Sequence, residues 1–384
     1  MTDLLVVAGE ASGDRAAAGV VARLEGVRTF GLGGPALAGA GTELVGELGT
    51  WTALGIGEAG ARAHRVLRAW RAVARAVRAR RPAAALLVDY AEFNAQLARR
   101  LRRKGVRVLW YGAPQIWAWR PGRAEAWGRF VDRMAVMLPF EEALWRRAGV
   151  DARYVGHPSL EVPRLDRHTA RRALGMTPFA AAVAVLPGSR AHEVRRLLQP
   201  MLDAYERVRS DRASVDARVL VAASLDGPTR AWVRRICDDR RVLWFDVDAR
   251  TGAIATLRAF DVALCASGTV TLEAALARAI PVITYRVGLA SELVARALLR
   301  VPNVALPNVL LGRRAFTELL QRHASARRLS AALAEALDRR DELVPVCGEV
   351  EAALGEGRTP SAAVAAMLAP WLAPDHGPRV IPSR

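Results

Sequence analysis

The sequence predicts an α/β protein with a parallel sheet in each half of the chain. Short apolar runs of strand length alternate with helical segments, which is the pattern of parallel strands joined by covering helices. Several runs end in loops rich in glycine and hydroxyl residues, at residues 9–14, 187–193 and 266–269. The 384 residues exceed the usual size of one hydrophobic core and favour about two domains.

Composition is that of a globular protein with several candidate partners. Apolar residues make up 52% of the chain, and no apolar run reaches the ~18 to 20 residues of a membrane-spanning helix. The first apolar run follows Asp3 rather than a basic segment, so we expect a cytoplasmic protein. The net charge of +18 attracts nucleic acid, anionic membrane or phosphorylated small molecules. Lys104 is the only lysine, which indicates a composition bias towards arginine and weakens arguments from single arginine clusters.

Three cysteines, Cys237, Cys265 and Cys347, are predicted to be packing residues. Their number is odd and their spacing is not that of metal ligands, so neither a disulfide framework nor a structural zinc site is indicated. The chain is therefore expected to fold without covalent cross-links.

Residues 4–8 predict the first strand, and a glycine-containing loop leads from it into an alanine-rich helix. Such a loop at the carboxyl end of a strand can bring a ligand close to the backbone. Gly9 and Gly13 lack the spacing of a dinucleotide fingerprint. The alternative is a structural turn in which Ser12 or Asp14 caps the helix.

Residues 61–81 predict a basic amphipathic helix. Such a helix is typical of a surface helix that packs on the sheet and exposes its arginines to solvent. It is also typical of a helix that contacts an anionic membrane surface, and both interpretations stay open. The apolar stripe holds Val66, Trp70, Val73 and Val77, and the opposite side holds Arg65, Arg68, Arg71, Arg75 and Arg78.

Residues 83–88 predict a buried strand, and Asp89 follows it directly. Ligands bind at the carboxyl ends of parallel strands, so Asp89 is the candidate general base of this half. The alternative is that Asp89 caps a helix that begins near Phe93.

Residues 106–111 predict the next strand, which leads into a block of glycine, proline and indole side chains at residues 112–120. Trp117 and Trp119 in this block could form the floor of a sugar or acyl site. Two tryptophans that cover a domain interface would look the same in sequence.

The pattern of the first half repeats after residues 158–169, a polar segment with prolines that predicts the interdomain linker. Before it, residues 29–35 predict another strand end and turn, and residues 133–138 predict one more strand. After it, strands are predicted at residues 180–186, 219–223, 242–247, 262–265 and 281–285.

Two loops of the second half can hold an anion. In the first, Gly188 and Ser189 can offer backbone amides and Arg190 a two-pronged guanidinium to phosphate oxygens. The alternative is that Arg190 is one more surface arginine.

The second loop is Ser267-Gly268-Thr269, where an apolar run stops and a helix begins near Val270. Glycine lets the backbone approach an anion, and the free N–H groups and positive dipole end of the helix would face it. The alternative is an empty turn capped by Ser267 or Thr269.

Seven blocks occur in the order seen in lipid-A-disaccharide synthases, and from about residue 5 to about residue 320 the chain resembles that family. The resemblance implies a GT-B fold, in which two Rossmann-like domains face each other across a cleft, and a reaction that needs neither metal nor cofactor. The blocks are AGEASGD (8–14), PQIWAWR (114–120), GHP (156–158), LPGSR (186–190), ASGTVTLEAAL (266–276), YR (285–286) and LPN (306–308).

The resemblance also implies a reaction and a domain plan. Residues 1–165 would form an acceptor-binding, membrane-facing domain, and residues 166–350 would bind the UDP donor. Residues 351–384 would form a C-terminal helix and polar tail that returns to the N-terminal domain or to a partner chain. The reaction would transfer 2,3-diacylglucosamine from UDP-2,3-diacylglucosamine to 2,3-diacylglucosamine 1-phosphate, giving a β-1,6-linked disaccharide monophosphate and UDP.

Individual roles follow from the same resemblance. Asp89 would be the base on the 6-hydroxyl of the acceptor, and Arg190 would neutralise charge that grows on departing UDP. Glu273 would accept hydrogen bonds from the ribose hydroxyls, and Asn308 would help to form the donor pocket. The other donor-side candidates are Gly188, Ser189, Ser267, Gly268, Thr269, Val270 and Thr271, and the acceptor-side candidates are Gly9, Ser12, Gly13, Asp14, Gln115, Trp117, Trp119 and His157.

As partners, the resemblance implies an acylated UDP-sugar donor, an acylated sugar phosphate acceptor, and anionic lipid at the inner face of the membrane, met by the helix at residues 61–81. It implies no nucleic acid and allows a homodimer. The alternatives are a sugar-nucleotide epimerase of the same fold, a different UDP-sugar glycolipid transferase, and an arginine-rich nucleic-acid-binding protein. The chain departs from the family at Ala91 and Glu92, where a proline and an aspartate or glycine are usual.

Overall fold

The chain divides into two compact units in a computed structural model that describes residues 1–47, 59–119, 124–212, 214–286 and 303–373. The first unit consists of Met1–Glu161 together with Gly357–Arg384, and the second unit is Val162–Glu356. Each is built on one parallel sheet covered by helices, which confirms the predicted α/β class. None of the described helices is long and apolar enough to cross a membrane.

The sheet of the first unit has seven described strands, and all neighbouring strands are parallel. Its order is β3-β2-β1-β4-β5-β6-β7, so the direction of winding reverses between β1 and β4. In chain order the strands are β1 (Thr2–Ala8), β2 (Val27–Gly33), β3 (Glu43–Glu47), β4 (Ala84–Val88), β5 (Arg107–Tyr111), β6 (Arg133–Val136) and β7 (Asp151–Tyr154).

Helices lie between these strands in sequence and bury both faces of the sheet. Leu5 and Val7 of β1 pack into the core on one face, and Leu4 and Val6 pack into the core on the other. A parallel strand covered on both sides needs an uninterrupted apolar run, which is why β1 and β4 were visible in the sequence. The described helices are α1 (Ala11–Val21), α2 (Pro35–Gly39), α3 (Ala59–Arg80), α4 (Ala91–Arg103), α5 (Ile116–Trp119), α6 (Ala124–Gly128) and α7 (Pro139–Arg147).

The predicted basic helix is α3, whose side chains are described from Val66 onward. Val73 and Val77 are buried against the sheet, and Trp70 rests on Phe93 of α4 with ring centroids 4.7 Å apart. The predicted Arg65 lies outside the described side chains. The opposite side of α3 is exposed, and it carries Arg68, Arg71, Arg75 and Arg78.

The second unit repeats the plan with six described strands, all parallel, in the order β10-β9-β8-β11-β12-β13. Here the winding reverses between β8 and β11. The strands are β8 (Ala181–Leu186), β9 (Val215–Val221), β10 (Leu243–Asp246), β11 (Val262–Ala266), β12 (Ile280–Tyr285) and β13 (Glu318–Leu320). The described helices are α8 (Arg167–Ala173), α9 (Ala191–Asp211), α10 (Gly227–Asp239), α11 (Ile254–Leu257), α12 (Thr269–Leu276), α13 (Leu306–Leu311), α14 (Ala326–Asp338) and α15 (Arg340–Ala353).

The last described helix, α16 (Pro360–Leu372), belongs to the first unit, although the whole second unit precedes it in sequence. Leu368 and Trp371 pack into the core face that holds Leu4 and Val6 of β1. The chain therefore passes from the first unit to the second and returns to complete the first.

Three strands were not predicted from the sequence, β3, β7 and β13. Two of them are the edge strands of the first sheet, and the third is one edge of the second, whose other edge, β10, was predicted. An edge strand is covered less completely, so it can carry charged or half-exposed residues, such as Asp151 and Arg153 of β7, without a continuous apolar run. The three cysteines are free and buried, as predicted.

Candidate functional site

Each sheet has one position where the winding reverses, and ligands of open parallel sheets bind beside the carboxyl ends of the strands at such a position. In the first unit these strands are β1 and β4, which are followed by Gly9 and Asp89. In the second unit they are β8 and β11, which are followed by the Gly188 loop and by Ser267. In each unit, two of the loops predicted as candidate sites therefore follow neighbouring strands at the same edge of the sheet.

Asp89 and Tyr90 form a strained turn after β4. Both adopt left-handed backbone conformations, with φ of 49° and 45°. Such a conformation costs a non-glycine residue about 1 to 3 kcal/mol and is concentrated at functional sites. The alternative role of Asp89 as a helix cap is wrong, because α4 begins at Ala91 with Tyr90 at its N-cap and no side-chain cap.

Asn94 holds this turn and was missed in the sequence. Its Nδ2 donates to the carbonyl of Val88 at 3.2 Å and to that of Asp89 at 2.9 Å. Its side chain is fully buried, and its Oδ1 has no hydrogen-bond partner among the described residues. An asparagine in the first turn of a predicted helix has no distinctive sequence pattern, so the role of Asn94 could not be predicted.

Glycines leave room for the Asp89 turn. A Cβ atom on Gly112 would lie 2.4 Å from Asp89 Oδ1, and one on Gly13 would lie 3.1 Å from Oδ2. A Cβ atom on Gly9 would lie 2.2 Å from Cβ of Tyr90. Gly9 and Gly13 were predicted to lie near a ligand. The close approach of Asp89 and Tyr90 explains why these positions are glycine.

The surroundings of Asp89 suit a base that works near neutral pH. Burial raises the pKa of its carboxyl to about 7, and the carboxylates of Glu10 and Glu141 act in the same direction. The residue as a whole keeps part of its surface exposed. A carboxyl group in this setting can accept a proton from a hydroxyl that reaches the end of β4.

Glu141, the second carboxylate near Asp89, was also missed in the sequence. It is buried in the first turn of α7 and accepts hydrogen bonds from Trp117 Nε1 at 3.0 Å and from the backbone N–H of Leu138 at 3.1 Å. Burial raises its pKa to about 7, against the effect of the Trp117 hydrogen bond. Trp117 also meets the ring of Phe140 edge to face at 5.2 Å.

Trp117 is thus fixed in place beside the predicted acceptor region. Gln115 is exposed, and the side chain of Trp119 lies outside the described residues. Phe140 is 37% exposed, so Trp117 and Phe140 together offer an aromatic surface that a sugar ring or acyl chain could touch.

Asp14 and His157 have structural roles. Asp14 is buried and accepts hydrogen bonds from the backbone N–H groups of Gly34 at 2.7 Å and Ala36 at 2.9 Å, at the start of α2. Neither Asp14 nor the half-buried Ser12 caps α1, whose N-cap is Glu10.

His157 is buried, and its Nδ1 accepts a hydrogen bond from the backbone N–H of Ser159 at 3.2 Å. Burial lowers its pKa to about 4, helped by Arg15, so the imidazole is neutral at physiological pH. It stabilises the turn at Pro158–Leu160.

In the second unit, the loop after β8 brings together the predicted anion-binding residues. Gly188 has φ of 124°, in the left-handed region that favours glycine. Arg190 is the N-cap of α9, and its Nη1 donates to Glu193 Oε1 at 3.2 Å. The Arg190 side chain is 35% exposed, so a ligand can reach it.

The loop after β11 lies at the same edge of the sheet. Gly268 has φ of 153° and ψ of −166°, a conformation open almost only to glycine, and it is the N-cap of α12. Ser267 and Thr269 do not cap the helix. The alternative prediction, a turn capped by one of these two hydroxyl residues, is therefore wrong about the cap. The hydroxyl of Thr271 donates to the Gly268 carbonyl at 2.8 Å, and Glu273 is buried.

Ser267, Thr269 and Val270 are each partly exposed and Gly268 is exposed, so the start of α12 is open to a ligand. The N–H groups in the first turn of a helix attract anions. The helix has eight residues and no acidic residue in its first turn. Two loops that suit phosphate therefore stand side by side on β8 and β11.

The side chain of Asn308 is fully hydrogen-bonded within the second unit. Its Nδ2 donates to the carbonyl of Phe316 and to Glu318 Oε1, both at 2.8 Å. Its Oδ1 accepts from the N–H groups of Ala315 and Phe316 at 2.9 and 2.8 Å. The predicted part of Asn308 in the donor pocket would therefore be to shape the pocket rather than to bind the donor with this amide.

The described residues contain no group of three or more His, Cys, Asp or Glu side chains that could hold a metal ion. The groups described at the two edges include the carboxylates of Asp89 and Glu141 in the first unit, and the guanidinium of Arg190 with backbone N–H groups in the second.

Known protein sequences match this chain over most of its length. The family model described as Lipid-A-disaccharide synthetase matches residues 4–358. The Lipid-A-disaccharide synthase of Anaeromyxobacter dehalogenans strain 2CP-C is 42% identical over 370 residues, covering 94% of this chain and 95% of the relative. That of Myxococcus xanthus strain DK1622 is 41% identical over 366 residues, covering 92% and 93%.

Solved structures with the same fold are distant in sequence. The UDP-GlcNAc 2-epimerase from Neisseria meningitidis bound to UDP-GlcNAc has a TM-score of 0.69 at 8% identity, covering 96% of this chain and 100% of that one. MurG from Acinetobacter baumannii has a TM-score of 0.53 at 13% identity, with the same coverage. These similarities confirm the predicted GT-B class of two Rossmann-like domains.

Proposed function

Because this chain belongs to the lipid-A-disaccharide synthase family, we propose that it transfers 2,3-diacylglucosamine from UDP-2,3-diacylglucosamine to 2,3-diacylglucosamine 1-phosphate. The chain is a hexosyltransferase, and the products would be the β-1,6-linked disaccharide monophosphate and UDP. One observation carries the proposal: each unit presents its predicted site residues where its own sheet reverses, a carboxylate in the first unit and phosphate-binding loops in the second.

In the first unit, Asp89 acts as the base on the acceptor. Its raised pKa leaves a carboxylate that is basic enough to take the proton of the 6-hydroxyl near neutral pH. Asn94 and the glycines around the strained turn hold the backbone that carries the Asp89 carboxylate. Trp117 and Phe140 supply an apolar surface for the sugar ring or its acyl chains.

In the second unit, the loops after β8 and β11 hold the UDP of the donor. The amides of Gly188 and of the start of α12 face the diphosphate, and Arg190 adds positive charge. Glu273 binds the ribose hydroxyls, in keeping with the resemblance to the family.

The transfer step then balances without a metal or cofactor. The proton of the acceptor 6-hydroxyl moves to Asp89 while the oxygen forms a bond to C1 of the donor sugar. The bond between C1 and the phosphate oxygen breaks, and the electron pair leaves with UDP. Arg190 and the amides of the two loops stabilise the negative charge that develops on UDP.

Product analysis tests the function directly. Purified protein incubated with UDP-2,3-diacylglucosamine and 2,3-diacylglucosamine 1-phosphate is expected to give one new mass, that of the disaccharide monophosphate, in equal amount with UDP. Incubation with UDP-GlcNAc alone is the control for the epimerase alternative. A new epimer without acceptor, together with no disaccharide, would contradict the transferase proposal.

The exposed arginine face of α3 is proposed to hold the enzyme on the cytoplasmic face of the membrane that contains its acylated substrates. Arginines near an anionic surface each contribute up to about 1 kcal/mol of binding, and the attraction weakens as salt rises. The proposal involves no nucleic acid. It allows a monomer or a homodimer, since the residues of each edge come from a single chain.

Neutralising this face is expected to weaken membrane binding at least about tenfold at low salt. The variant replaces Arg68, Arg71, Arg75 and Arg78 by glutamine, and co-sedimentation with vesicles of phosphatidylcholine and phosphatidylglycerol measures the binding. The matched control loses the same charge from exposed arginines of the second unit, Arg207, Arg209, Arg327 and Arg328. Equal losses in both variants would mean that binding reflects net charge rather than α3.

A further inference from the structure

Glu193 is a buried carboxylate in the first turn of α9, and the transfer step proposed above does not use it. It stands directly beside the loop that is proposed to hold the diphosphate. A negative charge there opposes the binding of an anion, so its presence calls for a compensating role.

Three donors from two parts of the chain converge on this carboxylate. The backbone N–H of Ser189 donates to Oε2 at 3.2 Å, and Arg190 Nη1 donates to Oε1 at 3.2 Å. The hydroxyl of Tyr285, at the end of β12, donates to Oε1 at 3.2 Å. The carboxylate thus ties the loop after β8 to a strand that follows 92 residues later.

The loop is wrapped closely around Glu193. A Cβ atom on Gly188 would lie 2.6 Å from Oε2 and 2.8 Å from Cβ of Glu193, so only glycine fits at that position. Burial raises the pKa of the Tyr285 hydroxyl to about 12, and the neighbouring Glu193 carboxylate acts in the same direction. Tyr285 therefore stays protonated and remains a hydrogen-bond donor.

We propose that Glu193 is a positioning residue of the donor site, which holds Arg190 in the arrangement that receives the diphosphate of a UDP-sugar. Its hydrogen bond from the Ser189 amide anchors the loop that carries this arginine. An arginine that is already held in one rotamer loses less conformational entropy when its ligand arrives. The hydrogen bond from Tyr285, at the end of β12, holds the Glu193 carboxylate in place, and this gives a role to Tyr285 of the YR block. This inference rests on the proposed donor site.

A double-mutant cycle tests whether Glu193 acts through Arg190. The Kd of UDP is measured by calorimetry for wild type, Glu193→Gln, Arg190→Ala and the double variant. Glu193→Gln is expected to weaken UDP binding about tenfold in the wild-type background. In the Arg190→Ala background the same change is expected to cost less than about twofold, because the partner to be positioned is gone.

The matched control is Glu206→Gln, which removes a carboxylate from the same helix α9 where it pairs with Arg240 at 3.2 Å. It is expected to leave the Kd of UDP unchanged. If Glu193→Gln does not fold, Tyr285→Phe serves instead, with UDP binding expected to weaken about threefold in wild type and to stay unchanged in the Arg190→Ala background.

The outcomes separate this inference from the function on which it rests. A tenfold loss from Glu193→Gln in both backgrounds would overturn the positioning role, because the residue would then act through the fold and not through Arg190. If Arg190→Ala leaves both UDP binding and kcat unchanged, the proposed donor site is wrong, and the role of Glu193 falls with it. If Arg190→Ala lowers kcat alone, the donor site stands, and the role of Glu193 in UDP binding is overturned.

Discussion

Asp89→Asn is expected to lower the rate of sugar transfer about a thousandfold while the Kd of UDP changes less than about twofold. Asparagine has nearly the shape of aspartate, so the turn after β4 and the glycines around it can keep their arrangement. It cannot accept the proton of the acceptor hydroxyl. UDP binding is spared because the proposed donor loops belong to the second unit.

Transfer rates and UDP calorimetry on the same preparation measure both parts of this prediction. Glu92→Gln is the matched control, since it neutralises an exposed carboxylate three residues away and should keep wild-type activity. Full turnover by Asp89→Asn would rule out the base.

The pH dependence of the wild type belongs to the same prediction. Because the pKa of Asp89 is raised to about 7, kcat/KM should fall about tenfold for each pH unit below that value. The folded protein also binds this proton more tightly than the unfolded chain does. The contribution of Asp89 to stability is therefore fully present at about pH 4 and is lost as the pH rises through about 7. Asp89→Asn should lack this decline in urea unfolding curves.

Arg190→Ala is expected to lower kcat/KM about a hundredfold and to weaken UDP binding, because one charged donor to the leaving group is removed. The Arg190 side chain is only about one third exposed, so solvent and salt screen its charge less than that of a surface arginine. Steady-state kinetics with varied donor concentration measures the loss.

Arg207→Ala, an exposed arginine on the same helix α9, controls for the loss of one positive charge and should change kcat/KM less than about twofold. If Arg190→Ala lowers kcat with UDP binding unchanged, the arginine acts only in the transition state. Wild-type kinetics for Arg190→Ala would remove it from the site.

Sequence reasoning located the strands that organise both sheets, because β1, β4, β8 and β11 are buried on both faces and so form apolar runs. It also found the loops at their ends, since glycine and hydroxyl residues mark the turn from strand to helix. The edge strand β7 was not visible, because its charged residues Asp151 and Arg153 resemble a loop, whereas the edge strand β10 has the apolar run Leu243-Trp244-Phe245 and was predicted.

The supporting residues of the site could not be read from the sequence. Glu141 meets Trp117 across 24 residues and Glu193 meets Tyr285 across 92, so neither pair leaves a local pattern. Asn308 was assigned to a pocket because it stands in a family block, although its amide is fully used by the backbone of residues 315–316 and by Glu318.

The return of α16 to the first unit sets an order for folding during synthesis. Its Leu368 and Trp371 complete one face of a core that begins with Leu4 and that α1 covers in part, so that face stays incomplete until α16 has left the ribosome. The second unit, Val162–Glu356, has all of its strands by then and can fold first. The half of the molecule that is made first is therefore the half that is finished last.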